Sequence, residues 1–153
     1  MGSEVFARLE ELGLTIPPVV PPVAAYVPAL RTGNYVYVSG QLPMVDGKLP
    51  YVGKVGAEVT VEQGTELARY CALNALAAID ALVGLDKVVQ VVKIVGFVAS
   101  APGFTGQPAV VNGASELFGE VFGEAGRHAR SADGVSALPL NTPVEVEAFF
   151  EVA

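Results

Sequence analysis

Few side chains in this sequence are of a type that does chemistry. Its 153 residues include one cysteine, Cys71, one histidine, His128, and no tryptophan. One cysteine cannot close an internal disulfide, and one histidine cannot build a histidine cluster for a metal, so no metal site is expected. There is no glycine loop ahead of a phosphate-binding lysine, no G-x-G-x-x-G, no G-x-S-x-G elbow and no H-E-x-x-H. Cys71 recurs with apolar residues at helical spacing, which reads as a small buried hydrophobe rather than a nucleophile. His128, between Arg127 and Arg130, reads as a surface residue or one leading into a strand, not as a general base. Arg130 stands in the nearly uncharged run Ala129-Arg130-Ser131-Ala132. A fixed guanidinium there could grip a carboxylate through two parallel hydrogen bonds. Ordinary ion pairing at a surface or interface is the plainer reading. Glu145 and Glu147 read as a solvated strand face, and become chemically useful only where that face borders a cleft and a carboxylate can position water or carry a proton.

The elements that must position these residues follow from spacing. Ser3 to Leu12 reads as a short helix capped by Ser3 and stopped by Gly13, an appendage followed by a connector rich in proline (Pro17, Pro18, Pro21, Pro22, Pro28). Tyr35 to Ser39 is a strand bounded by Gly33-Asn34 and Gly40, with Tyr35, Tyr37 and Ser39 on one face. Asp46-Gly47 marks a hairpin turn, with a second strand expected over Lys48 to Val52. Thr60 and Gln63 have capping-box spacing, and Leu67, Cys71, Ala75, Ala78, Ile79 and Leu82 then recur as one helix face until Gly84. Val88 to Val98 is apolar at odd and even positions alike, as in a strand covered on both faces. A second helix runs from Pro108 to about Gly123, with Val111, Leu117, Phe118, Val121 and Phe122 inward and Gly113 and Gly119 weakening it. Strands over Ser131 to Leu138 and Val144 to Val152 flank a turn at Asn141-Thr142-Pro143. The last strand sets Val144, Val146, Ala148, Phe150 and Val152 on one face and Glu145, Glu147, Phe149 and Glu151 on the other. The order strand, strand, helix, strand, helix, strand, strand is that of an α+β fold with its helices stacked on one face of a sheet.

Composition narrows the partners. A chain of this length fits one domain, residues 1–153. It is 52% hydrophobic and 16% charged, with a mean hydropathy of +0.49. So small a domain cannot hide that much apolar surface alone, and burial between subunits is expected. No stretch reaches the ~20 uninterrupted apolar residues of a membrane helix, and Glu4, Arg8, Glu10 and Glu11 break up what would be a signal peptide, so a cytoplasmic location without membrane contact is expected. A net charge of −7 with only 9 Lys and Arg repels phosphate backbones, which makes nucleic acid a poor partner.

Six phrases carry a resemblance. Tyr37-Val38-Ser39-Gly40-Gln41-Leu42-Pro43, Gly96-Phe97-Val98, Val111-Asn112, Ala129-Arg130-Ser131, Leu138-Pro139 and Val144-Glu145-Val146-Glu147-Ala148, in that order, are similar to those of the RidA/YjgF family, also labelled endoribonuclease L-PSP or translation-inhibitor-like. The resemblance covers about Ala25 to Ala153 and leaves residues 1–24 outside. It implies a chorismate-mutase-like fold, a mixed sheet with two main helices on one face, and a homotrimer with clefts between subunits. It also implies hydrolysis of reactive enamines and imines to 2-keto acids and ammonia, as in 2-iminobutanoate/2-iminopropanoate deaminases, without a cofactor. Carried over position by position, Arg130 matches the family's carboxylate-binding arginine and Glu145 its water-positioning acid. Tyr26, Ser39 and Asn112 match substrate-binding positions. Ala132 departs from the cysteine found there in many deaminating members, the Ala101 to Gln107 loop is long, and the N-terminal segment is extra, which marks a divergent subgroup. The expected function is therefore imine hydrolysis. A non-catalytic trimer binding small carboxylates for sensing or protection is the alternative, and ribonuclease activity the third reading.

Overall fold

The computed structural model of the chain describes residues 2–153. Helix α1 spans Gly2–Glu11, and strands β1 (Ala29–Thr32) and β2 (Tyr35–Gln41) follow the connector. Next come helix α2 (Val61–Leu82), strand β3 (Val88–Ala99), helix α3 (Gln107–Phe122), and strands β4 (Ala129–Val135) and β5 (Val144–Val152). The five strands form one mixed sheet in the order β1-β2-β5-β3-β4. Only β3 and β4 run parallel, joined by the crossover helix α3. The fold is thus α+β, with α2 lying across β2 and β5 and α3 across β3 and β4.

Local chemistry explains most of these elements. Thr60 Oγ1 accepts from Gln63 N–H at 3.1 Å while Gln63 Oε1 accepts from Thr60 N–H at 2.9 Å, a complete capping box that starts α2. Leu67, Cys71, Ala75, Ala78 and Ile79 form its buried face, and β5 buries Val144, Val146, Ala148, Phe150 and Val152 beneath it. Phe118 and Phe150 meet edge to face at 5.8 Å and tie α3 to the sheet.

Several expectations change. The second strand does not extend over Lys48 to Val52. Asp46 (φ 52°) and Gly47 (φ 77°) make the tight turn, but only Val45 and Lys48 pair across it, because Pro50 has no N–H to offer a ladder and Gly53 N–H instead bonds Asn141 O at 2.9 Å. The partner of β2 is β1, a four-residue edge strand in register from Ala29 opposite Val38 to Thr32 opposite Tyr35. It lacks an alternating pattern because all but Ala29 is exposed. The strand after α3 is Ala129–Val135 rather than Ser131 to Leu138. Within one chain β3 is covered on one face only: Val91, Ile94, Gly96 and Val98 are buried, whereas Val89 and Val92 are exposed.

Ser3 lies within α1 rather than before it, and its side chain is outside the described residues. The helix is docked, not loose: Leu9 joins the core and Arg8 Nη1 donates to Glu120 O at 3.1 Å. Among the described residues no helix is long and apolar enough to cross a membrane.

The two glycines of α3 differ in kind. A Cβ on Gly113 would collide with the backbone carbonyl of Thr65 on α2, whereas one on Gly119 meets nothing within 4 Å. Gly113 is therefore where the helices cross in close contact. Gly113→Ala should cost roughly 1–3 kcal/mol through forced separation, and Gly119→Ala should stabilise by roughly 0.5–1 kcal/mol through helix propensity. Thermal melts should move in opposite directions, by about 2–4 °C per kcal/mol for a chain of this size.

Candidate functional site

Arg130 is the second residue of β4 and lies opposite Ile94 of β3. Ile94 is buried toward the helices, so Arg130 points to the same side and meets α3. Its Nη1 donates to Asn112 Oδ1 at 2.7 Å and Ser115 Oγ at 3.1 Å, and its Nη2 donates to Pro108 O at 3.2 Å. These acceptors sit at positions 108, 112 and 115 of one helix, spaced by four and three, which is the spacing that puts them on a single face. A guanidinium has five N–H groups. The three bonds leave Nε–H and one Nη2–H for a ligand. Among the described residues the ion pairs are Arg8–Glu11, Arg69–Glu120 and Arg127–Glu124. Arg130 is thus oriented by neutral oxygens only, and the salt bridge that is the plain reading of its sequence context does not form here.

Glu145 occupies the other side of the sheet. It is the neighbour of buried Val144 and Val146 on β5 and lies opposite Phe97 of β3. A bulge between Val38 and Gln41 shifts the β2 register there. Gly40 falls directly beneath the carboxylate, where any Cβ would collide with Glu145 Oε2. Ser39 precedes it, with Oγ donating to Val27 O at 2.6 Å, so the hydroxyl proton is committed while the oxygen can still accept. Tyr26 shares a hollow of about 20 Å³ with Gly40, Gln41 and the connector prolines, and its hydroxyl accepts from Val23 N–H at 3.3 Å. Tyr26, Ser39 and Glu145 therefore gather about Gly40. Arg130 and Asn112 do not join them, since the pleat of β3 sends Ile94 and Phe97 to opposite faces.

Burial, with Glu147 on the same face as the second cause, pushes the Glu145 carboxyl above its usual range. The raised group holds a proton at a higher pH than a free carboxylate does, as suits proton transfer. Cys71 is fully buried and its thiol is pushed up, first by burial and then by Glu145, which removes it from thiolate chemistry. Among the described residues no cluster of His, Cys, Asp and Glu could hold a metal ion.

The spacing of the sequence did not single out Ser115. It lies three residues after Asn112, and that helical interval was the available signal. His128 is not a plain surface group. It is half-buried, with Nε2 at 2.9 Å from Ser115 Oγ and Nδ1 at 2.6 Å from Gly126 O, and its ring stands edge-on to Phe118.

The fold and these side chains define a class: a mixed five-stranded sheet under two helices that carries an unneutralised arginine on one side and a raised carboxyl on the other. Residues 6–152 match the family model described as "YjgF/chorismate mutase-like, putative endoribonuclease". The chain belongs to this YjgF/RidA family, and the match takes in α1 from Phe6 onward. Protein TCP17 of Trypanosoma cruzi is 45% identical over 153 residues, 99% of this chain and 96% of that one. The crystal structure of Atu1372 from Agrobacterium tumefaciens is similar at 45% identity and a TM-score of 0.90, covering 99% of this chain and 93% of that one. RidA from the Antarctic bacterium Psychrobacter sp. is 29% identical with a TM-score of 0.60, covering 88% and 94%. The gap between those scores fits a divergent branch.

The Glu145 shift has a testable sign. A carboxyl raised in the folded state lowers stability once it ionises, so Glu145→Gln should melt higher than wild type above the raised titration range. The difference should close below the usual carboxylate range, where Glu145 is protonated both folded and unfolded. Melts of both proteins across pH check this, and a gap independent of pH would rule it out.

Proposed function

We propose that the protein hydrolyses small 2-imino acids, and their enamine tautomers, to 2-keto acids and ammonia. The observation that carries this reading is Arg130, held in place without a countercharge and with two N–H groups free, the arrangement a carboxylate ligand requires. Water adds to the imine carbon, the nitrogen takes up a proton, and the C–N bond breaks to release ammonia as the C=O bond forms. Glu145, with its raised affinity for protons, is suited to orient that water, accept its proton and return it to the leaving nitrogen. Imines also hydrolyse unaided, so orientation and charge placement suffice for catalysis. Ala132 lies on the Arg130 side, opposite Gly96, and the reaction needs no thiol there.

Because Arg130 and Glu145 lie on opposite faces of one sheet, a single substrate meets both only where the Arg130 edge of one copy abuts the Glu145 face of another. The homotrimer implied by the family resemblance supplies such clefts, and exposed Tyr35, Tyr37, Val89 and Val92 on the open face are suited to burial there. A second reading, a trimer that binds small carboxylates without turnover, is favoured by the missing thiol at Ala132. Ribonuclease activity is disfavoured by the net charge of −7.

Imines generated in place by an amino-acid oxidase should release ammonia and keto acid faster with wild type than without it. Arg130→Ala should lose about 100-fold in kcat/KM, and Glu145→Gln a similar factor through kcat. Full activity in Arg130→Ala would sink the proposal, while saturable keto-acid binding without turnover would establish the second reading.

A division of the site between copies is tested separately. Sedimentation should give three times the 15.8 kDa chain mass. Arg130→Ala and Glu145→Gln chains refolded together should regain activity in roughly a quarter of the sites, those that draw both intact halves. Mixed trimers as inactive as either parent would place both groups in one copy's reach and refute the split.

A further inference from the structure

Three groups stand in line behind the Arg130 guanidinium, and with the histidine ring neutral their chemistry fixes the direction of every hydrogen bond. Gly126 O is a carbonyl and can only accept, so His128 Nδ1, at 2.6 Å, carries the proton. The neutral ring then has its lone pair on Nε2, and Ser115 Oγ–H, at 2.9 Å, donates to it. That leaves the Ser115 oxygen free to accept from Arg130 Nη1 at 3.1 Å. The far end of the line is anchored in backbone: Gly126 is buried so tightly on α3 that a Cβ there would collide with Phe118 O. The His128 ring is braced edge-on against Phe118 at 6.3 Å between centroids. Were the ring protonated, Ser115 Oγ would have to accept two N–H groups, and its own proton would have no partner among the described residues.

We propose that Ser115 and His128 are positioning residues for Arg130, a relay from the Gly126 carbonyl that holds the guanidinium with Nε–H and one Nη2–H turned toward a bound carboxylate. This deepens the reading of Arg130 given above and rests on it. Pro108 O holds the guanidinium at Nη2, and Asn112 holds it at Nη1 together with Ser115, which is locked by a histidine of fixed tautomer. An arginine so held gives up little side-chain freedom when an anion arrives, and affinity gains by that saving.

Because the chain has a single histidine, one pair of imidazole ¹⁵N signals reports the relay directly. Above the histidine titration range the signals should be those of the Nδ1–H tautomer, and Ser115→Ala should shift the Nε2 signal. Pyruvate, a small 2-keto acid, serves as the calorimetric probe of the carboxylate grip. Ser115→Ala and His128→Ala should each weaken its binding about three- to tenfold. The double variant should be no weaker than either single one, because the relay acts as a unit. Ser115→Thr, which keeps the hydroxyl, should restore most of the affinity. In turnover the same variants should raise KM and leave kcat within about twofold, a split that general loosening of the fold would not produce. Ser115→Ala removes a single partly buried oxygen, so folding is not at stake in that arm. An Nε2–H tautomer, or unchanged pyruvate affinity in Ser115→Ala while Arg130→Ala loses it, would overturn the relay and leave the role of Arg130 standing. Absence of pyruvate binding in wild type would bring down the reading of Arg130 and this inference together.

Discussion

A positive charge surrounded by neutral oxygens organises one side of this molecule. Hydrogen bonds donated to Asn112, Ser115 and the Pro108 carbonyl orient the Arg130 guanidinium but leave its charge intact, whereas a carboxylate would have done both and closed the site. The geometry is exacting, since three acceptors from one helix must come within hydrogen-bond reach of one side chain on the strand beneath. That is possible only if α3 lies low over the sheet. Gly96 supplies the room below, because a Cβ there would collide with the methyl groups of Val111, and Gly113 supplies it at the side, against the Thr65 carbonyl of α2. These two glycines are, in the folded chain, what lets the helix come close enough to hold the arginine.

The pleat of the sheet then separates the chemistry. Alternation along β5 turns the even-numbered apolar residues into the core and leaves Glu145, Glu147, Phe149 and Glu151 half-buried on the open face. The parallel pairing of β3 and β4 turns Arg130 the other way. No rotamer change moves either group through a hydrogen-bonded sheet. The separation of Arg130 and Glu145 onto opposite faces follows from secondary structure alone.

Legibility in the sequence tracks how local the cause is. The α2 capping box, the alternation of β5 and the Asp46-Gly47 turn were readable because residues three, two or one apart decide them. Strand β1 was not, because its four residues are held by Val38, Tyr37, Val36 and Tyr35 of β2 and carry no pattern of their own. The two-sided apolar pattern of β3 predicted more cover than one chain provides. At the candidate site, Arg130 and Glu145 stood out by type and phrase, yet their placement on opposite faces depends on a register between strands that no local spacing encodes. His128 went unvalued for the same reason: its partners, Ser115 thirteen residues away and a backbone carbonyl, are products of the fold.

The open face also explains why a carboxyl would be kept there at some cost. In the single chain Glu145 is already raised by partial burial and by Glu147 two residues on, and Gly40 offers no side chain to shield it from a second molecule. Farther along the same face stand Tyr35, opposite Glu151, and Tyr37, 5.5 Å from Phe149 between ring centroids, a surface apolar enough to be covered and acidic enough to be costly when covered. Under the proposed assembly, covering this face deepens the desolvation of Glu145 and raises its proton affinity further, while the same contact brings up an unneutralised Arg130 from the neighbour. The attraction between the two would pull the proton affinity back down. The carboxyl is then set by two opposed forces that both arrive with the second copy, and its protonation state near neutral pH becomes a property of the assembled cleft rather than of the chain.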